Sequence, residues 1–155
     1  MRFVSVEDMA LKIWECESGV LKTVKKLNLK QKIIDAVTSD MIGFIIVLGQ
    51  SGSILILNSD GKFVSTIERP EVEFTSISCS NEQLYLGTFS GQVMNYHLSS
   101  LNLVREITQG RSRNTSKVTE VHCAANGKRV LVCYANKSFL VYNTRRDEIE
   151  GSYVS

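Results

Sequence analysis

The sequence predicts an all-β fold built from repeated units of four antiparallel strands. Apolar runs of about five to seven residues, rich in Val, Ile, Thr, Phe and Tyr, follow one another along all 155 residues. Most of these runs end at Gly, Ser, Asn or Asp, and many alternate apolar with polar residues, which is the period of a strand with one buried face. The same arrangement of runs returns at regular intervals, so the strands belong to a repeat.

The first two runs, FVSVE and ALKIWE, have a strand pattern, but the next segment has two interpretations. On a helix, Val20, Val24 and Leu27 would share one face among lysines. The same residues also fit a strand from Gly19 to Lys25 that runs into a lysine-rich loop. We favour the strand, because every comparable position further along the chain has a strand pattern.

Four blocks of sequence carry the repeat: EDMALKIW, QSGSILIL, FSGQVMNY and ANKSFLVY. In each block a two-residue turn leads into a strand that closes on a large apolar residue, and Asn, Asp, Ser and Gly are the residues that tolerate such turns. The closing residues therefore hold equivalent structural positions. They are Trp14, Leu57, Tyr96 and Tyr142, at steps of 43, 39 and 46 residues.

Further strands flank each block. An inner strand precedes the last three blocks (IIDAVTS, FTSISCS, VTEVHCAANGK), and an outer strand follows them (GKFVSTIE, LNLVREIT, DEIEGSYV). Four strands at a period of about 40–45 residues predict the blades of a β-propeller. The first block has no inner strand. The sequence therefore predicts fifteen strands, three in a partial first blade and four in each of three full blades. The blades are expected at about 1–27, 32–69, 72–108 and 117–155.

These motifs resemble the WD-repeat family of β-propellers. The resemblance rests on the spacing from Asp8 to Trp14, the KIWE strand, SGQVMNY in the same position, and VTEVHCAANGKRVLVCYANKSFLVYNTRRDEIEGSY. It implies that the turn Asp bonds with His, Ser or Thr, and Trp side chains to tie three strands together. Asp8 and Trp14 match two members of that network, whereas Ser51, Ser90 and Asn136 replace the Asp later. The later blades are therefore expected to depend more on packing.

The resemblance also implies a larger assembly. Propellers close with about four to eight blades, so we expect these blades to be part of a seven-bladed or larger WD-repeat ring. The apolar faces at the two ends of such an arc need partners. Those partners are the missing blades, supplied by the same longer protein or by a second copy. We favour the longer protein, because Met1 falls within a blade and GSYVS stops where another blade would begin.

A finer resemblance lies in the central part of the chain. Its SCSNEQLYLG run and its tyrosine-closed strand are similar to a middle pair of blades in the large WD-repeat scaffold proteins of spindle poles and basal bodies, which gather stress-activated kinases. This similarity implies a role at the cytoskeleton or centrosome.

Composition bounds the compartment. The chain is 43% hydrophobic and 22% charged, values typical of a soluble globular protein. No run approaches the roughly 18 apolar residues of a membrane span, and the N-terminus lacks the pattern of a signal peptide. We therefore predict a cytoplasmic protein, with the nucleus as an alternative, and no membrane contact.

The sequence predicts neither catalysis nor a cofactor. The four cysteines form no C-x-x-C pair, and only two histidines, His97 and His122, are present, so a metal site has little support. His122 and its neighbour Cys123 alternate to opposite faces of one strand and cannot form a dyad. No phosphate-loop, hydrolase-elbow or zincin motif occurs. The chain is therefore not expected to be an enzyme.

Two basic segments are the candidate binding sites. The loop QGRSRNTSK carries Arg111, Arg113 and Lys117 with no acid, and long loops on rigid scaffolds concentrate binding residues. Its arginines suit acidic or phosphorylated partners, whereas its hydroxyls could themselves be phosphorylated. A mobile solvated loop is the simpler alternative. A second basic strip would be formed by Lys22, Lys25, Lys26 and Lys30.

The function predicted is a non-catalytic scaffold that presents loops to partner proteins. The alternative is a propeller module of a ribonucleoprotein assembly that grips RNA backbone through the basic loops. That alternative predicts binding that weakens steeply with salt and is lost when Arg111 and Arg113 become Glu.

Overall fold

A computed structural model describes residues 1–39, 43–107 and 116–154. Within these ranges the chain forms fifteen strands and no helix, which confirms the all-β prediction. The strands are β1 (Arg2–Glu7), β2 (Ala10–Glu17), β3 (Val20–Asn28), β4 (Ile33–Ser39), β5 (Phe44–Gly49), β6 (Ser53–Asn58), β7 (Phe63–Glu68), β8 (Phe74–Ser80), β9 (Gln83–Thr88), β10 (Val93–His97), β11 (Leu103–Ile107), β12 (Val118–Cys123), β13 (Arg129–Tyr134), β14 (Phe139–Asn143) and β15 (Glu148–Tyr153).

The strands form four antiparallel sheets in chain order. Sheet A consists of β1–β3, sheet B of β4–β7, sheet C of β8–β11 and sheet D of β12–β15, each as a simple meander. Three four-stranded blades and one of three strands are thus present among the described residues. The strand interpretation of the segment after Gly19 is confirmed, although β3 continues to Asn28 instead of ending at Lys25. The extension arises because Leu27 packs against the core of sheet B.

The turn between the second and third strand of each repeat requires a left-handed backbone. Asp8 (φ 47°), Gly52 (φ 77°), Gly91 (φ 88°) and Lys137 (φ 65°) adopt it at the four equivalent turns. Only the turn between β1 and β2 has the predicted two residues, because Glu7 pairs with Ala10. The turns of sheets B, C and D have three residues, 50–52, 89–91 and 135–137, and the third of them adopts the left-handed backbone, which Gly accepts most easily. The repeated turn chemistry of the sequence therefore reflects a shared backbone requirement.

The chain divides into two compact units, residues 1–71 and 72–155. In the first unit, sheets A and B pack face to face around six buried residues. At Gly61, in the turn after β6, an added Cβ would lie 2.9 Å from the Cδ1 atoms of both Ile13 and Leu27. Sheet B therefore approaches sheet A closely here, and a side chain at Gly61 would displace both methyl groups. The six core residues are Leu11, Ile13, Ile33, Ile45, Val47 and Leu57.

The second unit contains sheets C and D. Their facing surfaces enclose a core of ten buried residues, including Tyr85 and Val118. The inner strands of the two sheets also bond to each other. Thr75 Oγ1 donates to the carbonyl of Val118 (2.6 Å), and the N–H of Cys123 donates to Ser78 Oγ (3.0 Å).

Candidate interaction surface

The turn of sheet A places Asp8 and Trp14 in different roles. The indole Nε1 of Trp14 donates to Ser5 Oγ on the neighbouring strand at 2.9 Å. Asp8 has an exposed side chain and acts through its backbone, because its carbonyl accepts the N–H of Ile33 at 2.7 Å. The structure thus brings Trp14 together with a serine, while Asp8 links the turn to the start of β4.

At the turns of sheets C and D, short polar side chains bond to each other within the turn, whereas Ser51 in the turn of sheet B bonds to Gln31 in the connection before β4. The bonds are Ser51 Oγ to Gln31 Oε1 (2.5 Å), Ser90 Oγ with Thr88 Oγ1 (3.1 Å), and Ser138 Oγ to Asn136 Oδ1 (2.6 Å). The turns of sheets B, C and D hold no aspartate. In sheet A the hydrogen bond of Trp14 goes to Ser5, so the aspartate–tryptophan tie that the resemblance implies is not found there either.

The closing residues Leu57, Tyr96 and Tyr142 are all buried. Tyr142 also has a polar role: its hydroxyl accepts from Nη1 of Arg105 at 3.0 Å and donates to the carboxylate of Asp147. Arg105 and Asp147 form an ion pair at 2.9 Å. Because Arg105 belongs to sheet C and the other two residues to sheet D, this group ties the sheets of the second unit together.

One exposed aromatic residue lies against a lysine in the second unit. Phe89 follows β9 and leaves 53% of its surface exposed, and the Nζ of Lys117 lies 5.8 Å from the centre of its ring. An ammonium group over an aromatic face is an attractive arrangement. Lys117 is the described member of the predicted basic loop, so the structure adds an aromatic partner to that candidate site.

Main-chain hydrogen bonds hold this region in place. The N–H of Phe89 donates to the carbonyl of Glu73 (2.8 Å), and the carbonyl of Lys117 accepts from the residue before Asn136 (2.9 Å). The N–H of Asn136 donates to Ser116 Oγ (3.2 Å). We call Phe89, Ser116, Lys117 and Asn136 the Phe89–Lys117 surface. Its backbone is fixed before any partner arrives.

The other predicted binding residues do not form one surface among the described residues. Arg111 and Arg113 lie outside the described residues. Of the second basic group, the strand register puts Lys26 opposite Lys12 on one face of sheet A. A bulge opposite Ile13 and Trp14 leaves Lys22 and Lys25 on the other face, and Lys25 Nζ donates to the carbonyl of Asp60 at 3.2 Å. Lys30 follows the end of β3. The four lysines therefore do not share one face.

Each of the two histidines pairs with one glutamate. His97 pairs with Glu82 (3.2 Å) and His122 with Glu120 (2.8 Å), all near the surface. Burial raises the pKa of Cys123 to about 12, so its thiol is protonated and unreactive at neutral pH. In the described ranges no group of three or more His, Cys, Asp or Glu side chains is placed to hold a metal ion. The same ranges contain no helix that is long and apolar enough to cross a membrane.

Sequence reasoning missed Phe89. A signal was present, because Phe89 occupies the position held by Glu7, Gln50 and Ala135 in the other blocks. A large apolar residue at the mouth of a turn, where the other repeats have polar or small ones, has no core to enter. It was therefore a candidate for a surface contact.

Comparison with known proteins identifies the fold alone. No family model matches the sequence, and no curated protein matches it. Among solved structures, a chain of the "Crystal Structure of Mitotic Checkpoint Complex" is similar with a TM-score of 0.78 and 13% sequence identity. The match covers 97% of this chain and 45% of that one, so this chain spans less than half the length of its structural neighbour. The neighbour is a propeller protein, and the four sheets described above have the architecture of propeller blades.

Proposed function

We propose that the chain belongs to a non-catalytic scaffold that binds other proteins through the Phe89–Lys117 surface. The observation that carries this proposal is the exposed Phe89 ring beside Lys117 on a backbone held by hydrogen bonds. Aromatic residues and cations supply much of the energy of protein interfaces, and a preformed surface loses little freedom on binding. The structural neighbour is part of a multi-protein complex, in keeping with this role.

The charge of the surface favours an acidic or phosphorylated partner segment. The stretch from Gln109 to Lys117 contains Arg111, Arg113 and Lys117 and no acidic residue. An acidic segment with an apolar side chain would place its carboxylates or phosphates near Lys117 and its apolar group on the Phe89 ring. Contact with both would give selectivity that charge alone does not.

The test is quantitative affinity enrichment from cell extract with the wild-type chain and four variants. Phe89→Ala and Lys117→Glu are the test variants. Phe63→Ala and Lys62→Glu are the controls, because they change an exposed aromatic and an exposed lysine elsewhere on the chain. We expect one set of proteins to be lost with both test variants, to remain with both controls, and to survive nuclease treatment.

Two outcomes would contradict the proposal. If the same proteins are retained by Phe89→Ala and Lys117→Glu, partners do not use this surface. If enrichment disappears with nuclease, RNA carries the interaction, and the variant Arg111→Glu/Arg113→Glu then tests the basic loop. All variants are compared by thermal unfolding, so that loss of binding is separated from loss of fold.

The similarity to spindle-pole and basal-body scaffolds stays a prediction. It predicts that stress-activated kinases are among the proteins whose enrichment depends on Phe89, and that a tagged chain concentrates at centrosomes. Enrichment without kinases would leave a scaffold of a different kind.

A further inference from the structure

Ser116 lies next to Lys117 and holds the turn between β13 and β14. Its Oγ accepts the N–H of Asn136 at 3.2 Å, and the carbonyl of Lys117 accepts the N–H of Ala135 at 2.9 Å. One side chain and one carbonyl therefore fasten this turn to the residues that precede β12. A change at the Ser116 hydroxyl acts directly on the Phe89–Lys117 surface.

The other sheets show that the chemistry of this position varies. In sheet B the equivalent residue, by the main-chain bond made next to it, is Gln31, and its Oε1 accepts from Ser51 Oγ in the turn of that sheet. In sheet C the equivalent residue is Val72, which has no polar side-chain atom. Of these three positions, only the one at Ser116 has a hydroxyl that can be esterified.

The surroundings of Ser116 favour an anion. The N–H of Asn136 already points at its Oγ, and the exposed Lys117 follows it in the chain. The exposed Lys137 belongs to the turn that Ser116 holds. A phosphate on this hydroxyl would replace a neutral hydrogen bond with charge-assisted ones, which are stronger.

The sequence before Ser116 has a pattern that arginine-directed protein kinases recognise. Arg113 and Arg111 stand three and five residues before it, and the stretch from Gln109 to Lys117 has no acidic residue. Guanidinium groups pair bidentately with carboxylates, and charge patterns of this kind set the specificity of kinases for their substrates. The spacing favours Ser116 over Ser112, which has a single arginine directly before it.

We propose that Ser116 is a phosphorylation site and that its phosphate releases partners from the Phe89–Lys117 surface. This inference rests on the proposed function, because it assigns a switch to the same surface. A protein kinase and ATP supply the reaction. Ser116 Oγ attacks the γ-phosphorus of ATP, an O–P bond forms while the P–O bond to ADP breaks, and the hydroxyl proton passes to a base of the kinase. Ser116 is half-buried and the bond from Asn136 is near the long end of the usual range, so a kinase can withdraw the hydroxyl from the turn.

The added charge reverses the sign of the surface. Phosphoserine carries about −1.5 to −2 charges at neutral pH, which outweighs the single positive charge of Lys117. The phosphate draws the ammonium group of Lys117 away from the Phe89 ring, because a charge-assisted hydrogen bond is stronger than an exposed cation–π contact. An acidic partner then loses its cation and meets a like charge.

The first measurement locates the phosphate. The 155-residue chain is incubated with Mg-ATP and the catalytic subunit of cyclic-AMP-dependent kinase, an arginine-directed enzyme, and the modified residue is identified by mass spectrometry. We expect phosphate at Ser116, formed about tenfold more slowly in Arg113→Ala and at an unchanged rate in Ser112→Ala. Phosphate at Ser112 or Thr115 in place of Ser116, or no phosphate, would overturn the assignment of the site.

The second measurement tests the switch by affinity enrichment, with phosphoserine installed during translation at position 116. The control carries phosphoserine at position 99, because Ser99 is exposed and lies at the opposite end of β10 from the turn of Phe89. We expect the proteins enriched through Phe89 to fall about fivefold or more with phosphate at Ser116, and to change less than about twofold with the control. Phosphatase treatment should restore the enrichment, which a misfolded chain would not show.

Failure of the switch and failure of the proposed function give different results. If enrichment depends on Phe89 and Lys117 but survives phosphate at Ser116, the surface is a binding site and the switch is wrong. If enrichment of the unmodified chain does not depend on Phe89 and Lys117, the proposed function is wrong, and the switch is overturned with it even where Ser116 is phosphorylated.

Discussion

β1 and β9 are the second strands of two blades, yet their surroundings differ. Tyr85 and Gly87 of β9 correspond to Val4 and Val6 of β1, by their pairing with the third strands. Tyr85 is 3% exposed in the core between sheets C and D, and an added Cβ at Gly87 would lie 2.4 Å from Cγ1 of Val118. Val6 is 37% exposed. Both β1 and β9 have an apolar pattern. The burial of their side chains is therefore decided by the strands that pack next to them.

The two units also differ in how their sheets are tied. In the first unit, Arg2 bonds to the carbonyl of Ser59 (3.1 Å) and the carboxylate of Asp60 (3.3 Å), all at exposed positions. In the second unit, the tie through Arg105 and Tyr142 is partly buried. Exposed ion pairs contribute little, whereas hydrogen bonds away from water contribute more. We therefore expect the first unit to open more readily.

The largest effect should come from truncating equivalent residues of the two strands. Tyr85→Ala empties a buried position and should lower the free energy of unfolding by about 3–5 kcal/mol. Val4→Ala removes a partly buried side chain at the same place in sheet A, and should cost about 1 kcal/mol. Urea unfolding of both variants measures the difference. Equal costs would show that β1 is as enclosed as β9.

The second test exchanges residue types between the strands. Gly87→Val gives β9 the residue that β1 has, and should destabilise the chain by about 3 kcal/mol because the added side chain meets Val118. Gly151→Val is the control: nothing lies within 4 Å of its Cβ, and we expect a change within about 0.5 kcal/mol. Thermal unfolding measures both. A tolerated Gly87→Val would refute the close approach of β12.

The third test sharpens the comparison of the ties. Tyr142→Phe removes the hydroxyl shared with Arg105 and Asp147 while the ring stays, and should cost about 1 kcal/mol. Tyr153→Phe changes an exposed hydroxyl and should have no measurable effect. Chemical denaturation of the two variants decides the matter. If they unfold alike, the tie contributes nothing.

The smallest effect concerns pH. Arg129 and Asn143 hydrogen-bond the carboxylate of Glu150 and hold its pKa below the usual value of 4.5. Its contribution is therefore present above pH 4.5 and is lost as pH falls through the lowered value. Glu150→Gln should flatten the acid side of the stability profile slightly. Glu17→Gln, at an exposed position with no ion pair among the described residues, is the control, and an identical profile for both would contradict the prediction.

Local signals made most of the fold predictable. Alternating runs and turn residues such as Ser90–Gly91 define strands and hairpins over a few residues, and their repetition predicted the blades. Two features could not be predicted from the sequence, because they depend on how strands and sheets pair in space. The bulge opposite Trp14 splits the lysines of β3 between two faces, and Phe89 meets Lys117 only because sheets C and D pack together. The blade was therefore predictable, whereas the surface it forms with its neighbour was not.

Gly61 has a consequence for how such a repeat can change over generations. Its neighbours in the turn, Asp60 and Lys62, are exposed, and the exposed bond of Asp60 to Arg2 contributes little, so both residues can change at small cost. The four blocks show how far the repeat positions have already diverged. Gly61 has less freedom, because its φ of 74° is strained for other residues and a Cβ there would also displace the terminal methyl groups of Ile13 and Leu27. We therefore expect this position to stay glycine in related sequences while the residues around it vary. A glycine here would then indicate that the two sheets approach closely.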